Sequence, residues 1–162
     1  MKKLEDILAT IEKERGGVAT IHSAFEAFPP GVEAHYQFYQ QIFLGEHLPL
    51  SRLEREWLAV KVSIANECPY CMGHHQEALR LQQEKIGLEM EELRRDALSE
   101  LALKLTTEPF KAHILKEKFL NAGFQEAHWQ HAVFVISYFN FANRLAHSMQ
   151  LDLEPEFENT CS

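Results

Sequence analysis

Apolar residues recur at helical spacing along nearly the whole chain, and no stretch shows the strict alternation of a half-buried strand. The pattern therefore predicts an all-α fold, a compact helical domain. A first amphipathic helix begins at Leu4 and is closed by the Gly16-Gly17 pair. Further helices are predicted over residues 18–27, 32–44, 51–66, 69–85, 89–105, 110–121 and 124–147.

Three local signals set helix ends within this pattern. Ser51-x-x-Glu54 is a capping box, in which each side chain satisfies a free backbone N–H of the first helical turn. Cys68-Pro69 interrupts the helix that follows, and Pro69 suits the first position of a new one. Pro29-Pro30-Gly31 is interpreted as a breaker between two helices.

The helix predicted over 124–147 is apolar on nearly all sides. A helix of this kind lies at the centre of a core or is shared with another subunit, so a homo-oligomer is expected. The acidic segment 152–162 is expected to be a loosely held tail. We find no repeat or linker, which predicts a single domain over 1–162 with its core at about 30–150.

Composition removes several classes of function. The 162 residues carry a net charge of -8 with no basic cluster, which argues against nucleic acid or an anionic membrane surface as partner. The most apolar stretch, 132–142, is shorter than the roughly 20 residues that span a bilayer. We see no secretory signal, and three cysteines, two of them in a C-x-x-C, do not form a secreted disulfide framework. A cytoplasmic location is expected.

The candidate chemistry is concentrated at Cys68-Pro69-Tyr70-Cys71 and His75. If Pro69 starts a helix, both thiols face the unpaired N–H groups and the positive dipole end, which lowers a thiol pKa. The i, i+3 spacing places both sulfurs on one face, where they can close a disulfide. His75 lies four residues after Cys71 on the same face.

Glu56 is the fourth candidate. It falls at the margin of the apolar stripe of the preceding helix, where a carboxylate needs a partner. If the two helices fold back antiparallel near residue 67, Glu56 comes within about a turn of His75. The expected arrangement is a relay in which Glu56 orients His75, and His75 moves a proton to or from a cysteine.

These residues resemble a known family. Glu56, eleven residues, then Cys68-x-x-Cys71-x-x-x-His75 is similar to the motif of alkylhydroperoxidase D-like proteins in the carboxymuconolactone decarboxylase superfamily. Tyr70, the His74-His75 pair and the later segment 139–144 resemble its peroxidase-related branch. The best-studied members carry a histidine where this chain has Tyr70.

The resemblance implies an all-α fold, usually as trimers or hexamers, and a thiol peroxidase. By that analogy Cys71 would attack the hydroperoxide, Cys68 would resolve the sulfenic acid, and Glu56 with His75 would relay protons. An external dithiol protein would then reduce the disulfide, and no metal or other cofactor is needed.

Two other functions stay open from the sequence. The same cysteine pair could act as a thiol–disulfide sensor or adaptor without peroxide turnover. Cys68, Cys71 and His75 could also belong to a structural metal site, because zinc sites use the same spacing. Three further residues were assigned no firm role: Asn140 and Arg144 either line the site or form a structural network, and Cys161 is expected to be incidental. The remaining histidines are expected to be surface or partly satisfied residues: His22, His35, His113, His128, His131 and His147.

Overall fold

Helices make up the regular structure of residues 3–87 and 89–161, the part of the chain that the computed structural model describes, and no strand occurs there. The all-α prediction is confirmed. The α-helices are α1 (Leu4–Arg15), α2 (Thr20–Ser23), α3 (Pro29–Tyr39), α4 (Arg52–Ala65), α5 (Pro69–Ile86), α6 (Glu92–Thr107), α7 (Lys116–Asn121) and α8 (Glu126–Ser148). Gln40–Leu44 continues α3 as a π-helix, and Pro109–Leu115 and Phe157–Thr160 are 3-10 turns.

The prediction of a breaker at Pro29-Pro30-Gly31 was wrong. Pro29 and Pro30 occupy the first turn of α3 instead of separating two helices. The first N–H groups of a helix have no intrahelical partner, so proline loses nothing there and its fixed φ favours the helix. The helix predicted over 18–27 shrinks to the single turn of α2.

The α4–α5 hairpin is the element that builds the site. Ser51 and Glu54 form the predicted capping box at the start of α4. Glu67 then takes a left-handed conformation (φ 52°), which reverses the chain, and α5 returns against α4. α4 also packs on α6 and α8, so the hairpin is supported from behind by the main core. Fully buried side chains of that core include Phe43, Leu58, Val62, Leu98, Leu101, Val135, Ile136 and Phe139.

α8 is less uniformly buried than its apolar sequence suggested. Val135, Ile136 and Phe139 lie in the core, whereas Phe134 and Phe141 are exposed. One side of the helix thus completes the core and the other presents aromatic rings to the surroundings. None of the helices described for this chain has the length and apolar character needed to cross a membrane.

The C-terminal segment is packed onto the domain, contrary to the expectation of a loosely held tail. Cys161 is buried, and the Thr160 carbonyl accepts a hydrogen bond from Arg15 of α1. The Leu153 side chain lies directly over Gly73 of α5, where a Cβ would come within 2.5 Å of it. The segment carries enough specific contacts to hold it in spite of its acidic composition.

Candidate active site

A cavity of about 70 Å³ lies between α5, α8 and the N- and C-terminal segments. Glu56, Cys71 and His75, three of the four predicted site residues, line it. The fourth, Cys68, does not line the cavity and lies in a small buried cluster with Cys71. Polar and aromatic residues complete the lining of the cavity: Arg15, His22, His35, Tyr39, Arg52, Tyr70, His74, Tyr138, Phe139, Thr160 and Cys161.

Glu56 is the most deeply buried ionisable group of the site, with 0 % of its side chain exposed. One carboxylate oxygen lies 2.7 Å from His75 Nδ1. The other accepts a hydrogen bond from Arg52 Nε at 2.7 Å and lies 2.6 Å from a terminal nitrogen of the same guanidinium. The carboxylate is therefore held from both sides, in a geometry that satisfies both oxygens.

These partners keep Glu56 ionised. Burial alone raises its pKa, but the neighbouring His75 and Arg52 outweigh this, and the net pKa is lowered. Burial likewise disfavours the charge of Arg52, yet the carboxylate raises its pKa overall. Arg52 lies one turn before Glu56 on α4, a spacing that the sequence alone could have revealed.

Aromatic rings fix the plane of His75. The Phe139 ring meets the imidazole edge-on at 4.6 Å between centroids, and the Phe43 ring does so at 5.5 Å. Both phenylalanines are buried in the main core. With Nδ1 bound to Glu56, the imidazole is oriented by one polar and two apolar contacts.

The two thiols occupy the first turn of α5. Cys68 is its N-cap residue, Pro69 is the first helical residue, and the Cys68 carbonyl accepts a bond from the Met72 amide at 2.9 Å. Both cysteines are free thiols and both are buried. The Pro69-initiated turn thus places Cys71 toward the cavity and leaves Cys68 behind it.

One hydrogen bond joins the two thiols, and it shifts their pKa values in opposite directions. That bond, with Cys71 as partner, lowers the pKa of Cys68 to about 6 against the opposing effect of burial. The same bond, together with burial, raises the pKa of Cys71. The two groups titrate as a pair, in which the first proton leaves readily and the second is retained between the sulfurs.

An asparagine network, which sequence reasoning did not assign to the site, holds the turn between α4 and α5. Asn66 donates to the Asn143 side chain at 2.9 Å, and Asn143 donates to Ser63 at 3.2 Å. A hydrogen bond from Asn143 also reaches the Cys71 thiol and acts to lower its pKa. Asn140, whose role the sequence left open, donates to Thr106 and accepts from Asn66, so it serves the structural network.

His22, His35 and His131 are buried, so these three are not the surface histidines that the sequence allowed. His35 Nε2 lies 2.8 Å from the Tyr138 hydroxyl, and the His22 and His35 rings approach to 5.0 Å. Burial lowers the pKa of His22 to about 3 and that of His35 to about 4, so both are neutral. No local pattern marked them, because their burial arises from tertiary packing.

The far wall is formed by Tyr70, His74 and the C-terminal segment. The Tyr70 hydroxyl accepts a bond from the Ile21 amide at 3.1 Å, which gives it a structural task. His74 Nε2 lies 3.3 Å from Glu154, and its Nδ1 lies 3.8 Å from Cys161 Sγ. Cys161, expected to be incidental, therefore lies at the cavity.

Among the described residues, the side chains of the candidate site do not assemble the ligand set that the metal-site alternative requires. Within residues 3–87 and 89–161, no three His, Cys, Asp or Glu side chains converge as metal ligands. His75 and Glu56 are hydrogen-bonded to each other, and the two thiols are hydrogen-bonded to one another.

No protein-family model matches this chain, and no curated protein matches it. Two solved structures are similar. An uncharacterized peroxidase-related protein from Silicibacter sp. TM1040 is 24% identical at a TM-score of 0.81, over 98% of this chain and 88% of that one. The second is an alkylhydroperoxidase AhpD core protein from Ralstonia eutropha JMP134, also described as an uncharacterized peroxidase-related protein. It is 21% identical at a TM-score of 0.83, over 94% of this chain and 87% of that one. The chain therefore has the fold of the alkylhydroperoxidase D core, which is the fold that its motif implied.

Proposed function

We propose that this protein is a thiol-dependent peroxidase that reduces small hydroperoxides through a Cys68–Cys71 dithiol and disulfide cycle. One observation carries the proposal: Cys71 and the hydrogen-bonded Glu56–His75 pair line the same cavity, with Cys68 bonded to Cys71 from behind. A nucleophile, a proton relay and a resolving thiol are thus available around one small space. The peroxidase-related neighbours share this fold.

The first step uses the proton shared by the sulfurs. At neutral pH the pair has lost one proton, and the negative charge rests on Cys68. Transfer of the Cys71 proton to Cys68 along their hydrogen bond then puts the thiolate on Cys71. The Cys71 sulfur attacks the terminal oxygen of the hydroperoxide, and the O–O bond breaks. His75, whose Nδ1 is held by Glu56, gives an Nε2 proton to the leaving alkoxide. The products are an alcohol and a Cys71 sulfenic acid.

The second step closes the disulfide. The Cys68 thiol attacks the Cys71 sulfenic acid, its proton leaves with the hydroxide as water, and an S–S bond forms. An external dithiol protein then reduces the disulfide by exchange and is itself oxidised. The overall balance is one dithiol and one hydroperoxide converted to one disulfide, one alcohol and one water.

Two further proposals accompany this function without entering the chemistry. Self-association through the exposed Phe134 and Phe141 faces would bury rings that a lone domain leaves open. A reducing cytoplasmic setting would supply the dithiol donor and keep the resting pair reduced.

The test is mass-spectrometric mapping of the cysteines before and after one equivalent of ethyl hydroperoxide. We expect rapid conversion of Cys68 and Cys71 to an intramolecular disulfide, with Cys161 unmodified. In Cys71→Ser no disulfide should form, and Cys68→Ser should accumulate a Cys71 sulfenic acid that dimedone traps. Thiols that stay reduced in the wild-type protein would refute the proposal, and equal turnover by both variants would refute the assigned roles.

A further inference from the structure

His22 contains an unsatisfied polar atom at the cavity. Its Nδ1 is, within the part of the chain that the structure describes, the one buried side-chain nitrogen or oxygen that lacks a hydrogen-bond partner. Only 6% of the residue is exposed. An unpaired buried group has lost its hydration without a compensating hydrogen bond, which is why most buried polar atoms have a partner.

The surroundings of His22 do not supply that partner. The Tyr36 ring packs against it edge-on, but the Tyr36 hydroxyl donates to Glu14. The neighbouring His35 is bonded through Nε2 to Tyr138. His22 is a lining residue of the cavity that holds Cys71, and the space in front of it is therefore the remaining source of a partner.

We propose that His22 Nδ1 is a substrate-binding subsite that takes an uncharged hydroxyl group, and that the preferred substrates are small hydroperoxides carrying a second, hydroxyl oxygen. This inference rests on the proposed function and names its substrate class. A hydroxyl is the fitting group because it both donates and accepts, so it satisfies either tautomer of a neutral imidazole.

The charge of His22 and the size of the cavity further restrict the class of substrate. A neutral imidazole provides a hydrogen bond but no counter-charge, so His22 itself favours an uncharged group. Arg15, a cation of the same cavity wall, already donates to the Thr160 carbonyl. The cavity of about 70 Å³ is roughly half of the 150 Å³ that accommodates benzene. Ile11, Ile21 and Ala142 supply apolar wall for a short carbon skeleton between the two polar ends.

Kinetics with a matched pair of probes test the subsite. Ethyl hydroperoxide and 2-hydroxyethyl hydroperoxide share a skeleton and differ by the hydroxyl. We expect wild-type kcat/KM to be about tenfold higher for the hydroxylated probe, through a lower KM, and His22→Phe to reduce that ratio toward one. His113→Phe, which changes an exposed histidine, should keep the wild-type ratio. Equal kcat/KM for both probes in an active wild-type enzyme would overturn the subsite and leave the peroxidase proposal standing.

A binding experiment separates the two proposals without turnover. In the reduced wild-type chain, the ¹⁵N shift of His22 Nδ1 should move on addition of ethylene glycol or ethanol and stay unchanged in propane-saturated buffer, because propane matches ethanol in size but has no hydroxyl. That result supports the subsite even if no hydroperoxide is reduced. No response to either alcohol, or a stronger response to glycolate than to ethylene glycol, would overturn it.

Discussion

The Glu56 carboxylate and the His75 imidazole lie 2.7 Å apart although 19 positions separate them in the chain. The contact exists because the left-handed Glu67 reverses the chain and brings α5 back along α4. Arg52 holds the opposite edge of the same carboxylate. Glu56 thus connects the stability of the hairpin to the orientation of the histidine beside Cys71.

Glu56→Gln should lower the rate of disulfide formation with ethyl hydroperoxide by about 10²-fold or more, the lower end of the range for lost acid–base assistance. The neutral amide no longer provides the carboxylate that orients the His75 imidazole and supports proton transfer through it. Stopped-flow measurement of the wild-type and variant rates at neutral pH checks this. An unchanged rate would remove His75 and Glu56 from the relay.

Glu54→Gln is the matched control for that variant. Glu54 is also buried on α4 and also pairs with an arginine, Arg94, at 2.6 Å, but it does not line the cavity. Both variants leave an arginine without its carboxylate, so both should unfold at lower urea concentration. Only Glu56→Gln should slow the thiol chemistry. A similar loss of rate in Glu54→Gln would show that destabilisation alone accounts for the effect.

The pH dependence of stability should depend on Glu56. Although burial opposes ionisation, His75 and Arg52 lower its folded pKa below the unfolded value of about 4.3. A lowered carboxyl pKa contributes stability that is complete above the unfolded pKa and is lost as pH falls through the folded pKa. The difference in unfolding free energy between wild type and Glu56→Gln should therefore be largest near neutral pH and shrink in acid. A difference that grows in acid would contradict the ion-paired state.

The thiolate absorbance of the reduced protein should rise with a midpoint near pH 6, the pKa of Cys68. Removing the hydrogen-bond partner by Cys71→Ala should shift the midpoint upward, toward the ordinary thiol value of about 8.5. Cys161 serves as an internal control, because burial raises its pKa to about 12 and keeps it silent in this range. A wild-type midpoint above 8 would show that the two sulfurs do not share a proton.

Sequence reasoning predicted the contact between Glu56 and His75 because its determinants are local. Pro69 predicts that a helix begins there, and a helix that begins at Pro69 has both cysteines at its N-terminal end. Antiparallel folding about residue 67 was enough to place Glu56 near His75. Side-chain periodicity also identified the helices, and their fold is confirmed by the solved structures with TM-scores of 0.81 and 0.83.

The features that were missed depend on contacts between distant segments. Segment 152–161 is acidic, and composition alone does not reveal that Leu153 and Cys161 find partners on α5. His22 lies in a single helical turn with no periodicity, so its burial could not be predicted. The prediction at Pro29 was wrong for another reason. A proline can end one helix or begin the next, and tertiary packing of the neighbouring segments decides between the two.

Asn143→Ala should destabilise the protein by about 1–3 kcal/mol, because Asn66 and Ser63 each lose a buried partner. It should also raise the Cys71 pKa, since the hydrogen bond from Asn143 acts to lower it. Urea unfolding measures the first effect. The rate of disulfide formation with ethyl hydroperoxide at neutral pH, which depends on the Cys71 thiolate, measures the second and should fall. Asn140→Ala is the control: it breaks bonds to Asn66 and Thr106 and should reduce stability without slowing that rate. Identical rates in all three proteins would exclude a contact with the thiol.

Gly73→Ala should loosen the C-terminal segment while leaving the domain as stable as before or more so. Its Cβ would come within 2.5 Å of Leu153 Cδ1, so the Leu153 side chain must move away from α5. Against this, alanine favours a helix interior over glycine by about 0.5–1 kcal/mol. Hydrogen exchange should therefore accelerate at the 157–161 amides, whose hydrogen bonds are local turns, and stay unchanged in α4 and α8.

The double variant Gly73→Ala with Leu153→Ala tests whether the faster exchange at 157–161 comes from the clash between the new Cβ and Leu153. Removing the leucine methyl groups makes room for the new Cβ, but it also deletes the contact that Leu153 makes with α5. If the clash alone drives the loosening, the double variant should exchange no faster at 157–161 than Leu153→Ala does. Additive acceleration by the two substitutions would mean that Gly73 acts through the helix backbone instead. Because Thr160 and Cys161 line the cavity, the loosened variant should also accept cumene hydroperoxide better relative to ethyl hydroperoxide than wild type does.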